Sequence, residues 1–182
     1  MPDLASELQS AQTYVNERYG PPNAKWHAEA RNNDLWPNAF TDTTKHAHEH
    51  RAVVFVRSSD DEDTRRFDFT HESVHLLNPV PTCKMSCLEE GAAVVISMER
   101  TDYNSGVFVD QQLSKLRQPD QVGYLEAYLA LKCLIKRYPD GLIRTLRGVQ
   151  GRSLSTDICA IDITNLVPGT DKIAQRLCSK FY

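Results

Sequence analysis

The sequence predicts a helix-rich α+β fold, with a small N-terminal sheet and a histidine-bearing helix followed by a glutamate-bearing one. Three observations predict it. Ala52-Val53-Val54-Phe55-Val56 is short, apolar and β-branched, the pattern of a buried strand. Apolar residues recur at helical period over 4–19 and 120–138. Between these lies Phe67–Ser97, in which His71-Glu72-Ser73-Val74-His75 is followed, after fourteen intervening residues, by Glu90 at the head of an apolar run. With 182 residues the chain is long enough to bury a core, and its length fits a single domain over 1–182.

Composition narrows the function classes. Hydrophobic content of 41%, charged content of 25% and a net charge of −3 describe an ordinary globular chain. Its charge is too small to imply nucleic acid or acidic lipid as a partner. The opening MPDLASELQ lacks the basic and then apolar pattern of a signal peptide, and no apolar run reaches the length of a membrane span. Five cysteines, an odd number without an export signal, point to reduced thiols and a cytoplasmic location. Export by a route without a signal peptide would leave no mark here.

Taken in order, the first helix carries Leu4, Leu8, Ala11, Tyr14 and Val15 on one face, and Gly20-Pro21-Pro22 stops it. Over 23–50 the pattern is weak, with Trp26, Trp36 and Phe40 as the anchors. His46, His48 and His50 alternate, which on an extended strand puts them on one side. They read either as a solvated strand or as a second metal site. Strand 52–56 is followed by an acidic turn at 58–63 and an expected returning strand at 65–69. The histidine helix comes next, ended by Asn78, Pro79 and Pro81 because proline lacks an amide proton and restricts its predecessor.

Ser86 is placed to cap the following helix, with Glu89 three residues on completing a capping box, and 88–96 reads as largely buried. A turn at 101–105 leads to an expected short strand, 106–110. Pro119 then opens the helix 120–138, where a first-position proline is well suited. Its predicted buried stripe is Val122, Leu125, Leu129, Cys133, Leu134 and Tyr138. Pro139-Asp140-Gly141 breaks it, and shorter helices follow over 142–147, 157–166 and 171–181, the last capped by Thr170. Cys133, Cys159 and Cys178 read as core. No repeat or low-complexity tract divides the chain.

The chemistry concentrates in one stretch. Two histidines four residues apart project from one helix face, so both imidazoles can reach one metal ion. Zinc accepts histidine nitrogens and carboxylate oxygens in a tetrahedral shell, and catalytic zinc keeps three protein ligands and a water. Glu72, beside the first histidine, is placed to take a proton from that water. Glu90 is the candidate third ligand. Glu89 competes with it, but a capping box would occupy the Glu89 carboxylate and leave Glu90 free. The bland alternative is a buried helix whose two histidines and glutamate only hydrogen-bond one another, at a high desolvation cost. Cys83 and Cys87, spaced CxxxC, could form a disulfide, close the metal shell as a ligand, or be plain thiols. Arg144, Arg147 and Arg152 could hold a substrate carboxylate or form a solvated face.

HExxH followed by a glutamate on the next helix resembles the gluzincin zinc metallopeptidases. Leu88-Glu89-Glu90-Gly91-Ala92 is similar to the (Asn/Glu)-Glu-Gly-x-Ala signature of their aminopeptidase N and leukotriene hydrolase branch. The resemblance implies a zincin-like fold with zinc on His71, His75 and Glu90 and with Glu72 as general base. It also implies an oxyanion-stabilising tyrosine on a later helix. Tyr124-Leu125-Glu126-Ala127 fits that pattern, with Tyr128 as the second choice. By the same resemblance, strand 51–57 would be the sheet edge along the cleft and pair with a bound peptide, though a purely structural core strand fits equally.

The match covers roughly 51–147 and departs from the branch in three ways. The linker between pentad and glutamate is short, no Gly-x-Met-Glu-Asn exopeptidase signature is present, and the accessory domains are absent. A short single-domain gluzincin is the nearer type. The expected function is peptide-bond hydrolysis by metal-activated water, acting on a peptide or protein. The alternatives are a non-catalytic zinc-binding regulatory domain and a zinc hydrolase acting on something other than peptides.

Overall fold

The computed structural model describes residues 3–23, 26–33, 39–42, 51–57 and 60–181. Trp36, His46, His48 and His50 lie outside them. In chain order the elements are α1 (Leu4–Tyr19), β1 (His27–Asn32), β2 (Phe40–Asp42), β3 (Arg51–Val56), α2 (Glu62–His75), α3 (Cys87–Met98), α4 (Phe108–Leu116), α5 (Val122–Arg137), α6 (Leu142–Arg147), α7 (Ala160–Leu166) and α8 (Asp171–Leu177). This is an α+β arrangement, rich in helix, with one small sheet among the described residues. None of the helices described is long and apolar enough to cross a membrane.

The sheet runs β1-β3-β2, with β3 parallel to β1 and antiparallel to β2. The clearest strand in the sequence is therefore the central one, with Ala52, Val54 and Val56 almost wholly buried. Of the two readings of 51–57, the edge along the cleft is thereby corrected and the core strand holds: described strands flank β3 on both sides, and β2 is the one that reaches Glu72 of α2. Phe40 of β2 stacks on Phe55 of β3 at 4.8 Å between ring centroids. The sheet packs on α1 and α2 through Leu8, Ala11, Phe69 and Leu76.

Residues 65–69, expected as a strand, are the second turn of α2. Asp61 overrides the local pattern by accepting from the Thr64 amide at 2.9 Å and its hydroxyl at 2.8 Å. Glu62 and Asp63 then stand in the first turn, where the helix dipole favours acids. Arg65 forks onto Glu7 of α1 at 3.0 and 3.1 Å, tying the two helices together.

All twelve residues of α3 are buried, which makes it the axis of the larger core. Around it stand α5, α6, α7 and α8 through Leu131, Leu134, Leu142, Leu146, Ile163 and Leu177. Gly91 is where α5 crosses closest: a Cβ there would lie 2.7 Å from the Ala127 carbonyl oxygen. This crossing also corrects the predicted α5 stripe. A small residue must face Gly91, so the buried face is Ala127, Leu131 and Leu134, while Val122 and Leu129 are more than half exposed and Cys133 is exposed.

The expected strand at 106–110 is the start of α4, whose Phe108, Gln112 and Leu116 are buried at intervals of four. The last two helices are shorter than expected. In α7, Cys159 and Asp162 form the capping box that fixes the start at Ala160. The Thr170 hydroxyl donates back to the Val167 carbonyl at 2.6 Å instead of capping α8. Beyond α8 the chain returns to the head of α3: Cys87 N donates to Ser179 O at 3.0 Å and Phe181 N to Met85 O at 2.9 Å. Of the thiols expected in the core, Cys133 and Cys159 are exposed and Cys178 is half-buried. Cys83 is exposed, Cys87 is buried, and neither is in a disulfide.

Candidate metal centre

His71 and His75 project from the last turns of α2 toward Glu90 in the first turn of α3. His71 Nε2 is 3.3 Å from Glu90 Oε2, and His75 Nε2 is 3.8 Å from Glu90 Oε1. One donor atom from each residue can be chosen so that all three lie within 4.8 Å of one another, a group that could hold a metal ion. Two donors about 2.0–2.2 Å from one tetrahedral zinc stand roughly 3.3–3.6 Å apart, so the spacing is close to what that ion needs. His71 is close enough to Glu90 to help hold its charge, but the pair lacks the geometry of a good hydrogen bond, and Glu90 Oε2 is fully buried with no other partner among the described residues. A buried carboxylate oxygen left without a good hydrogen bond is costly, and a cation between it and the imidazoles removes that cost.

The expected capping box at the head of α3 forms only in half. Ser86 Oγ accepts from the Glu89 amide at 3.2 Å, but the Glu89 carboxylate does not reach back to Ser86 N. It turns instead to the histidine helix, where Oε1 lies 2.8 Å from His75 Nδ1. Its other oxygen accepts from Ser155 Oγ, which in turn accepts from Ser86 N at 2.9 Å. Glu89 is therefore occupied, as expected, but by His75 and Ser155 in place of the capping box. A carboxylate on Nδ1 fixes the ring's orientation and leaves Nε2 facing Glu90.

The electrostatics match. Burial opposes a charge on His75, yet the Glu90 carboxylate, the Glu89 hydrogen bond and Glu72 more than offset it and push the imidazole up to about 10. Burial likewise opposes ionisation of Glu90, but His75 and then His71 hold it below the ordinary carboxyl range. With buried Glu72, Glu89 and Glu90 close together, the cluster calls for positive charge, either a proton on His75 or an ion.

Glu72 stands beside His71 and is held by β2: Thr41 Oγ1 donates to Glu72 Oε2 at 2.7 Å. Tyr124 of α5 reaches the same place, its ring centroid 6.2 Å from that of His71 and braced edge-on by Phe181 at 4.7 Å. Tyr128, one turn on, packs between hydrophobic clusters and does not line the cleft. Two hollows meet at Ala39, His71, Glu72 and Tyr124 and form one cleft. A short arm of about 110 Å³ runs beneath Phe40 and Met85. A long arm of about 500 Å³ runs along α2 toward α4.

Each of the three arginines bonds within the chain, but only Arg147 is buried, and Arg144 is exposed as on a solvated face. Arg147 is buried and donates to the Pro21 carbonyl at 2.7 Å, and burial pulls its pKa down to about 10. Arg144 donates to the Glu17 carbonyl at 3.1 Å, and Arg152 pairs with Asp162 at 3.0 Å. Cys87 Sγ faces Ser179 and Lys180 of the returning tail, and no cysteine joins the metal group among the described residues. Sequence reasoning did not find Thr41 or Ser155, since no local pattern marks a residue that reaches a site only through tertiary packing.

Helix-rich α+β architecture with a largely buried His-His-Glu group at the foot of a cleft is thus the class of protein that fold and site define. Searches against protein-family models, curated proteins and solved structures give no match, so no family, gluzincin or other, is identified through them.

Proposed function

We propose that the chain is a zinc-dependent metallopeptidase of gluzincin type, with a zincin-like arrangement of an HExxH helix, a glutamate helix and a small sheet beside them. The observation that carries this reading is the convergence of His71, His75 and Glu90 within 4.8 Å, with Glu90 Oε2 buried without a good hydrogen bond among the described residues and Glu72 held alongside. His71, His75 and Glu90 would hold the ion. When bound, zinc supplies Lewis acidity and lowers the pKa of water toward neutrality.

Glu72 takes the proton of the attacking water and passes it to the leaving amine. The Thr41 hydrogen bond sets the orientation of its carboxylate for both transfers. Tyr124 donates to the developing oxyanion, a contribution of about 3 kcal/mol for a well-placed donor. The substrate is a peptide or protein, which would enter along the cleft that Glu72 and Tyr124 line.

Elemental analysis of the purified parent, with His71→Ala as control, and peptide hydrolysis by Glu72→Gln test the reading together. The expected result is one zinc per chain, lost in His71→Ala but kept in Glu72→Gln, with hydrolysis lost in both. Equal hydrolysis by Glu72→Gln and the parent would refute the assignment of the base. Zinc retained by a parent that hydrolyses no peptide would leave the non-catalytic zinc-binding reading.

A further inference from the structure

We propose that the long arm of the cleft is a specificity pocket for a lysine or arginine side chain flanking the scissile bond, with Asp68 as its anionic base. The inference rests on the metallopeptidase reading and names its substrate class. Asp68 lies one turn before Glu72 on α2, so its carboxylate looks into the long arm about 6 Å along the helix axis from the base. The arm's volume of about 500 Å³ falls in the range of roughly 300–1,000 Å³ that enclosed ligand sites occupy.

The lining has two parts. One wall is apolar, made by buried Val94, Met98 and Leu116 with Phe67 beside them. Of the charged residues, Arg57 pairs with Asp60 at 3.7 Å, and Lys115 and Asp120 stand exposed at the rim. Asp68 is half-buried and without a hydrogen-bond or ion-pair partner among the described residues, although His71 and Lys115 act on it from a distance. Burial, with the Glu72 charge adding to it, pushes its carboxyl up to about 7. A carboxylate in that position is relieved by a cation brought in by the guest.

Lysine and arginine are the natural side chains that combine an apolar stem of sufficient length with a terminal cation. The stem would lie along Val94, Met98 and Leu116, and the cation would meet Asp68. A purely apolar side chain fills the same volume but leaves the carboxylate unpaired. An acidic one adds a like charge to it.

The test uses zinc-loaded Glu72→Gln protein, which leaves peptides intact and removes Glu72 as a rival anion. Fluorescein-labelled Ala-Ala-Xaa-Ala-Ala peptides, with lysine, norleucine or glutamate at Xaa, are titrated by anisotropy. The lysine peptide is expected to bind about tenfold tighter than the norleucine one, the usual worth of a hydrogen bond to a charged group, and the glutamate peptide more weakly than either. Adding Asp68→Asn should remove the lysine advantage and Asp68→Glu should keep it, which separates the lost charge from a disturbed helix.

Equal binding of lysine and norleucine peptides, or a lysine advantage that survives Asp68→Asn, overturns the proposal. In a second arm, the parent protein digests a denatured protein and the cut sites are read by mass spectrometry. Cuts without a flanking basic residue overturn this proposal alone. Lysine-selective binding without any cutting by the parent supports the pocket and refutes the hydrolase.

Discussion

Replacing Glu89 by alanine separates a supporting carboxylate from a metal ligand. In the structure Glu89 makes a buried contact at 2.8 Å to His75 Nδ1 and a half-buried one to the Ser155 hydroxyl. The alanine leaves the His75 donor buried without that acceptor, at about 1–3 kcal/mol, while the Ser155 hydroxyl keeps Ser86 Oγ at 3.4 Å. Part of this cost falls on the fold and part on the metal, since His75 loses the contact that aims its Nε2. Removing such an outer partner typically weakens metal binding by about 10–100-fold, or roughly 1.4–2.7 kcal/mol. Glu89→Ala is therefore expected to bind one zinc per chain, with Kd raised by one to two orders of magnitude, when measured by competition against a chromophoric chelator. Glu89→Gln keeps an acceptor for Nδ1 and should lose less. Glu90→Ala removes a donor itself and should lose stoichiometric zinc. Parent-like affinity in Glu89→Ala would refute the orienting role, and loss of zinc in Glu89→Ala but not in Glu90→Ala would exchange the two roles.

Three further outcomes follow from the geometry. Tyr124→Phe should lower kcat by about 100-fold with zinc content unchanged, whereas Tyr128→Phe should leave kcat near the parent's, because only Tyr124 lines the cleft; steady-state kinetics with metal analysis checks both. Gly91→Ala places a Cβ 2.7 Å from the Ala127 carbonyl, a backbone atom that cannot swing aside. Overpacking of this kind costs about 1–3 kcal/mol, so Tm in scanning calorimetry should fall by roughly 2–12 °C. Asp162 is held down to about 2, chiefly by the Arg152 hydrogen bond and then by the Cys159 amide, from an ordinary value of 3.8. Its folded pKa is the lower one, so its stabilisation is present above about pH 4 and is lost as pH falls toward 2. Melting curves of the parent and Asp162→Asn should accordingly differ at pH 6 and converge toward pH 2.

Much of the site was legible because its signals are local. The spacing of His71 and His75, the prolines behind them and the Ser86 cap all act within one or two turns, and the structure brings both histidines to Glu90. The failures share a different cause. Arg65–Phe69 and Gly106–Asp110 look like strands when read alone, but Asp61 caps one as a helix and the Phe108, Gln112 and Leu116 periodicity claims the other. The α5 stripe was misread because its register is set by what crosses it. Gly91 demands a small partner, so Ala127 is buried in preference to Leu129. For Glu89 a capping box and a bond to His75 are both open in sequence, and only the placement of Ser155 decides between them. Pairing order in the sheet was likewise invisible, and with it the fact that Thr41, not the stronger strand, sits over Glu72.

The returning tail gives the His-His-Glu group an unusual dependence on time. His71, His75 and Glu90 are synthesised well before Ser179–Phe181, yet the turn that presents Glu90 is clasped by that tail, with Cys87 and Lys180 in contact across 93 positions. A growing chain thus completes these three side chains early and secures them late. Trimming even a few residues there would loosen a centre that lies in a different third of the polypeptide.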